Sequence, residues 1–198
     1  MDIKEYQLIK DLLYKFSDLG VEKSKETGAI KIGRAPHIAP LAVLNCIYPT
    51  INNEQVKYVE TELGRRLPES LKLFMTHFSN GLGVLCDTLC LYGLRSNYIR
   101  SIEMVWQPFD IIGPNKFERP DNATPEMLII GSYSWDRSKI YMMPDGRVHY
   151  CARWDATSLK SWDSLTLMLI EEIERLYTLF DANGVQINEE QPTTPIVF

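Results

Sequence analysis

The chain has 198 residues, a formal net charge of −5 and a hydrophobic content of 45%. This length suits one domain with a substantial core, and a charged content of 24% is typical of a globular protein. The acidic balance disfavours a nonspecific nucleic-acid binder, which normally carries basic clusters. It is compatible with a basic protein partner, although many proteins are acidic only for solubility.

No targeting or membrane signal is present in the sequence. The N-terminal stretch Met1–Tyr6 is charged and is not followed by the apolar core of a signal peptide. No apolar run approaches the roughly 18 residues that span a bilayer. We therefore expect a cytoplasmic protein that does not associate with membranes.

The first 49 residues are predicted to form a helix and an irregular extension packed on the rest of the protein. Apolar residues recur at helical spacing over residues 2–19, and Gly20 is a plausible stop. The stretch Glu22–Gly28 is polar and indicates a solvated loop. Prolines interrupt the apolar segment Leu41–Tyr48, which predicts only one or two short pieces of regular structure.

Two helices are predicted next, over residues 54–63 and 68–79. Gly64 suits the C-terminal stop of the first helix, and Pro68 suits the first turn of the second. Asn80-Gly81 then supplies residues that end a helix and lead the chain into a strand.

The remaining pattern combines strands with a closing helix. A hairpin or bent strand pair is predicted over Val84–Leu94, and long loops over residues 95–125. Strands follow at 127–130, 139–143 and 147–151, the last two joined by a hairpin turn at Pro144-Asp145-Gly146. A helix from about Ser161 to Phe180 precedes an extended tail, residues 181–198. This order predicts an α+β domain.

No catalytic or metal site is predicted. Cys86 and Cys90 have a loose ligand spacing, but no second cysteine or histidine pair accompanies them. The three histidines are far apart in sequence, and a Gly-x-Ser-x-Gly motif is lacking. The segment Gly81-Leu82-Gly83 has neither the third glycine of a dinucleotide motif nor the Lys-Ser/Thr of a phosphate loop. We expect no cofactor.

Several short motifs together resemble the SUKH superfamily. They are, in order, Glu60-Thr61-Glu62-Leu63-Gly64, Leu67-Pro68-Glu69, Ser79-Asn80-Gly81, Ile129-Ile130-Gly131 and Trp162-Asp163-Ser164-Leu165. This superfamily includes fungal cell-wall-synthesis regulators of the Smi/Knr type and many bacterial immunity proteins. The resemblance implies one domain over residues 50–180, with a central, mostly antiparallel sheet flanked by helices, and a binding module, not a catalyst.

We consider three hypotheses for the function, of which the resemblance implies the first two. The first is an immunity protein that occludes a cognate toxin, often a nuclease, encoded by a neighbouring gene. The second is a regulatory or scaffold domain, as in the fungal relatives. The third, from another class, is a small-ligand binder or enzyme that uses an aromatic pocket. For the first, we expect a monomer or weak dimer that binds a protein and no nucleic acid.

Aromatic and polar residues in predicted loops and strand ends are the candidates for partner binding, because such residues dominate interface hot spots. The acidic candidates would complement a basic toxin. The alternative is that the tryptophans are core plugs that cover the sheet. The predicted partner-binding residues are Trp106, Arg119, Trp135, Asp136, Trp154, Glu60 and Glu62.

Overall fold

A computed structural model describes residues 3–196 of the chain. The fold is α+β, as predicted, and its centre is one nine-stranded sheet whose strand order follows the chain order. Every adjacent pair is antiparallel. The strands are β1 (Val21–Lys23), β2 (Ile30–Arg34), β3 (Val43–Ile47), β4 (Leu82–Val84), β5 (Leu89–Leu91), β6 (Leu128–Tyr133), β7 (Lys139–Met142), β8 (Val148–Cys151) and β9 (Lys160–Trp162).

The helices lie at the chain ends and in the long connections between strands. A 3-10 helix, Tyr14–Leu19, follows directly on the first α-helix. Asn52 and Gln55 form a capping box at the start of the second α-helix, which Gly64 ends in a left-handed conformation. The α-helices are α1 (Ile3–Leu13), α2 (Asn53–Leu63), α3 (Glu69–His77), α4 (Ile112–Phe117) and α5 (Leu165–Tyr177).

The region between residues 20 and 50 is more regular than the sequence predicted. Three strands, β1 to β3, form there and extend the sheet. Of the expected loop at Glu22–Gly28, Glu22 and Lys23 lie in β1, and the rest belongs to the connection between β1 and β2. Pro36 and Pro40 fall in the β2–β3 loop, where a missing backbone donor breaks no strand pairing. The prediction of an irregular extension was therefore wrong for these residues.

The prediction for the C-terminal region was wrong about the start of the closing helix. The helix begins at Leu165 with Ser164 as its N-cap, because the segment Lys160–Trp162 pairs with β8 as an edge strand. Part of the tail that follows packs against the rest of the protein. Thr193 and Thr194 are buried, and Arg175 donates to the Thr193 carbonyl over 2.7 Å.

One face of the sheet carries the main core. Its register aligns Ile47, Leu82, Leu91, Gly131, Ile140 and Tyr150 across successive strands, so these residues share a face. The α5 helix packs on this face through the fully buried Glu172 carboxylate, which accepts from the Tyr133 hydroxyl (2.7 Å) and pairs with Lys160 (2.9 Å). Phe74 and Leu169, predicted as core residues, are fully buried.

The opposite face carries small and polar residues. The neighbouring register row runs from Lys31 in β2 across the sheet to Cys151 in β8. Between these ends it contains Cys46, Gly83, Cys90, Ser132 and Lys139. The long β5–β6 connection, residues 92–127, borders this face and leaves clefts against it.

The predicted hairpin turn is present between β7 and β8. Gly146 has a φ of 90°, a conformation that a β-branched residue avoids. The local sequence therefore determines this turn.

Replacing Leu169 with alanine tests the assignment of the core face. Leu169 is 0% exposed on α5, whereas Leu167, two residues away, is 39% exposed. We expect Leu169→Ala to lower the free energy of unfolding by about 2–5 kcal/mol because it leaves a cavity. Leu167→Ala should cost at most about 0.5 kcal/mol. Urea denaturation measures both, and equal losses would contradict the assigned helix face.

Candidate partner-binding site

The β4–β5 turn has an uncommon backbone conformation. Leu85, Cys86 and Asp87 have φ values of 49°, 52° and 64°, which non-glycine residues seldom adopt and almost never in succession. Two hydrogen bonds to β3 hold this turn. The Cys86 amide donates to the Leu44 carbonyl (2.8 Å), and the Leu85 amide donates to the Asn45 side chain (3.1 Å). Strain of this kind persists only where the surroundings enforce it.

This turn places the Asp87 side chain over Gly83. A Cβ atom at Gly83 would collide with an Asp87 carboxylate oxygen, so the absence of a side chain at Gly83 leaves room for this position of the carboxylate. Asp87 thereby reaches the polar face of the sheet, beside Cys46 and Cys90 of the register row.

Two cavities meet at Asp87, and we call them together the Asp87 cleft. The smaller, about 220 Å³, is lined by Tyr48, Trp106 and Phe109 among others. The larger, about 590 Å³, lies between Phe109 and the β6–β7 hairpin and is also lined by Tyr92. Asp87 and Phe109 line both cavities. The cleft therefore combines a carboxylate with several aromatic walls.

The Asp87 carboxylate lacks a cationic partner within the described part of the chain, where it takes part in no ion pair. Burial raises its pKa above 3.8, and a hydrogen bond from the Cys90 thiol offsets this only in part. Burial, with a further contribution from the Asp87 charge, raises the pKa of Cys46 to about 12. The same two causes raise the pKa of Cys90. Both thiols are therefore protonated at neutral pH and are poor nucleophiles.

Three basic residues line the cleft, and two of them have other contacts. Lys139 is buried and pairs with Glu118 over 3.3 Å. Arg95 donates to the Asn97 carbonyl (3.3 Å) and lies 5.8 Å from the Tyr98 ring centre. Arg137 is exposed on the β6–β7 hairpin. Because Asp87 forms no ion pair with any of them, its carboxylate remains available to a cationic group of another molecule.

An exposed apolar segment borders the cleft, and we call it the apolar loop. It consists of residues 98–109, in the first part of the β5–β6 connection. Five of its large hydrophobic side chains are between 50% and 65% exposed: Tyr98, Ile99, Ile102, Val105 and Phe109. Five exposed large apolar side chains within one loop indicate an interaction surface, whereas scattered single apolar residues do not.

A sequence profile of the SMI1/KNR4 family (SUKH-1) matches residues 50–171, which is more than half of the chain. The chain belongs to this family. The match lies inside the predicted domain of residues 50–180 and includes the β4–β5 turn, the larger cavity of the cleft and the apolar loop, whereas Cys46 and Tyr48 of the smaller cavity precede it. Comparison with curated proteins gave no match.

The matched segment contains all the residues predicted for partner binding, but in separate places. Trp106 lies at the cleft. Its ring packs against Cys46 and Tyr48, and the Lys31 ammonium lies 4.8 Å from the ring centre. Trp106 is half-buried. It covers the sheet, as expected if the tryptophans are core residues, and it also lines the cleft.

Trp135, Asp136 and Trp154 lie at one end of the sheet. The β6–β7 hairpin contains the first two, and the β8–β9 loop contains Trp154 beside Arg153, whose guanidinium stacks on its ring at 4.5 Å. The two connections are neighbours because Lys139 pairs with Cys151 in the sheet. Both tryptophans are exposed, so neither is a core plug.

Glu60, Glu62 and Arg119 form contacts within the chain itself. Glu60 accepts from the Leu67 amide (2.9 Å), and Glu62 pairs with Lys116 of α4 (2.7 Å). The Arg119 guanidinium donates to the Met127 carbonyl (2.9 Å) and to the Thr124 carbonyl. These bonds tie the long connections together, which gives each side chain a structural role; their part in partner binding stays a prediction.

Sequence reasoning missed Asp87 and, apart from Trp106, the apolar loop. A signal for the loop existed, because apolar residues recur in a segment that was predicted to lack regular structure. Asp87 gave no signal, since its importance depends on the left-handed turn and on Gly83.

One serine–histidine contact was also not anticipated. His149 Nδ1 lies 2.9 Å from the Ser158 hydroxyl, but its Nε2 is buried with no hydrogen-bond partner. The pair therefore lacks the third group that orients the imidazole in a catalytic triad. Over residues 3–196 no cluster of His, Cys, Asp and Glu side chains could hold a metal, and no helix has the length and apolarity to cross a membrane.

Asp87→Asn tests whether the Asp87 carboxylate lacks a stabilising partner in the folded protein. Burial raises the pKa of Asp87, so the native state binds its proton more tightly than the unfolded chain, and ionisation lowers native stability as the pH rises past 3.8. Asparagine keeps the shape and tolerates a positive φ. We expect a higher Tm than wild type at pH 7, with the gain shrinking as the pH falls toward 3.8.

Glu118→Gln provides the contrast, because it removes the partner of the buried Lys139. Its Tm should fall at pH 7. Differential scanning calorimetry across the pH range distinguishes the two variants, and a lower Tm for Asp87→Asn at pH 7 would mean that Asp87 has an internal partner.

Proposed function

We propose that this SUKH-1 protein is an immunity protein that binds a cognate toxin and neutralises it by occlusion. The apolar loop is the observation that carries the proposal, because a surface of this kind is buried in a protein complex. Membership of a family that includes toxin-immunity proteins gives the partner class.

The proposed mechanism requires no turnover. The apolar loop supplies the desolvated centre of the interface, and exposed aromatic residues of the β6–β7 and β8–β9 connections extend it. Binding would cover the active site or substrate channel of the toxin. On this proposal the protein is non-catalytic, acts in the cytoplasm and is a monomer or weak dimer when free.

Electrostatics support a basic partner such as a nuclease. The net charge is −5, and the cleft beside the apolar loop contains the unpaired Asp87 carboxylate. Nucleases that bind phosphate backbones carry basic surfaces, so the two charge distributions would attract and speed association.

The decisive experiment is a growth-rescue assay. The toxin candidate is the product of the gene beside this one, expressed alone and together with this protein. The proposal expects growth arrest with the toxin alone, rescue on co-expression, and a stable complex in size-exclusion chromatography. A complex without rescue would favour a regulatory or scaffold role instead.

Ile102→Asp should abolish or strongly weaken this complex, because it places a charge at the centre of an apolar interface. Ile187→Asp is a matched control, since Ile187 lies in the C-terminal tail and is 69% exposed, close to the 64% of Ile102. The expected affinity loss is about 100-fold or more for Ile102→Asp, roughly 3 kcal/mol, and less than threefold for the control. Calorimetric titration measures both; equal affinities would place the interface elsewhere.

The residues predicted from sequence are tested in the same titration. Truncating Trp154 or Trp135 to alanine should cost about 2 kcal/mol or more if either is a hot spot. Charge reversal at Asp136 should mainly slow association, with a smaller effect on dissociation. Circular dichroism first establishes that each variant folds. If folded variants at Trp106, Arg119, Trp135, Asp136 and Trp154 all bind with unchanged affinity, these residues are not part of the interface.

A further inference from the structure

We propose that the Asp87 cleft is a receptor for an arginine side chain of the bound protein partner. The inference rests on the proposed function for the identity of the partner, but the chemistry of the cleft can be tested without that partner. Three features of the cleft support it, namely a desolvated carboxylate, aromatic walls and an opening beside the apolar loop.

The carboxylate fits a guanidinium for electrostatic reasons. Asp87 lies at the point where both cavities meet, and it forms no ion pair with any residue from 3 to 196. A charge-assisted, bidentate pair with arginine is the strongest neutralisation that a protein side chain offers a carboxylate. Asp87 is already desolvated in the free protein. Part of the desolvation free energy that such a pair requires is therefore incurred on folding and not on binding.

The aromatic walls favour arginine over lysine. The Phe109 and Tyr92 rings lie 6.5 Å apart at an angle of 46°, and both line the larger cavity with Asp87. A planar guanidinium stacks on such rings while its edge donates to the carboxylate, whereas a lysine ammonium is a strongly hydrated point charge. The volume of about 590 Å³ leaves room for a whole arginine side chain.

The other ionisable groups around the cleft do not replace this partner. Lys139 is paired with Glu118, and Arg95 contacts Asn97 and Tyr98. Cys46, Tyr48 and Cys90 have raised pKa values, so they are neutral at pH 7. Asp110, whose Oδ1 is buried, and the exposed Arg137 also line the larger cavity and carry opposite charges.

The probe is Nα-acetyl-arginine amide, titrated into the full-length protein and followed by backbone NMR shifts. We expect saturable shifts at Gly83, Asp87 and Phe109 with a Kd in the millimolar range, as suits a single side chain. The citrulline analogue has the same shape without the charge and should not bind measurably. The lysine analogue should bind several-fold more weakly.

Two variants and one pH series establish the site. Asp87→Asn should weaken arginine binding at least tenfold, while Asp145→Asn, at a carboxylate that pairs with Arg147 and lies outside the cleft, should change it less than threefold. Phe109→Leu should weaken it several-fold because the stacking surface is lost. In wild type, affinity should fall as the pH drops and Asp87 becomes protonated, so the proposal stays testable even if Asp87→Asn does not fold.

The outcomes separate this inference from the proposed function. Equal binding of the citrulline analogue, an unchanged affinity of folded Asp87→Asn or no saturable shift would overturn the arginine receptor. A toxin complex that forms equally well with Asp87→Asn would likewise overturn it, while leaving the immunity proposal intact. Conversely, arginine binding at Asp87 without any toxin complex would support the receptor and count against the immunity function.

Discussion

The buried amide of Asn45 connects the parts of this structure on which the rest depends. Its nitrogen donates to the Leu13 carbonyl and the Tyr177 hydroxyl, both at 2.8 Å, and its oxygen accepts from the Leu85 amide. Because a buried amide without partners is costly, these bonds must form together. They join the N-terminal helix, the closing helix and the β4–β5 turn through one fully buried side chain.

This constraint explains how a strained turn persists at the proposed site. Leu85 is held by Asn45 and Cys86 by Leu44, so the left-handed conformation is imposed from β3. The consequence appears one residue later, where Asp87 lies over Gly83 and faces the cleft. Residue 45 precedes the segment that matches the family profile, so the N-terminal strands support the proposed site as well as widening the sheet.

The parts of the fold that sequence predicted well are those with local physical causes. The helices α2 and α3 follow from apolar spacing and from Gly64 and Pro68 at their ends, and the β7–β8 turn follows from Asp145-Gly146. The strands β1 and β9 were missed because three-residue edge strands carry no periodic pattern, and they form only when a neighbouring strand offers its hydrogen bonds.

The sequence by itself determined the α+β class, the family, the central hairpins and the core face of α5, since each depends on residues close together in the chain or on a motif order. Only the tertiary structure decided which polar and aromatic residues share a surface. Glu60, Glu62 and Arg119 were predicted on residue type, yet they bond to neighbours more than five residues away. Asp87 became a candidate only through sheet register and burial, because an unpaired charge depends on all the groups around it.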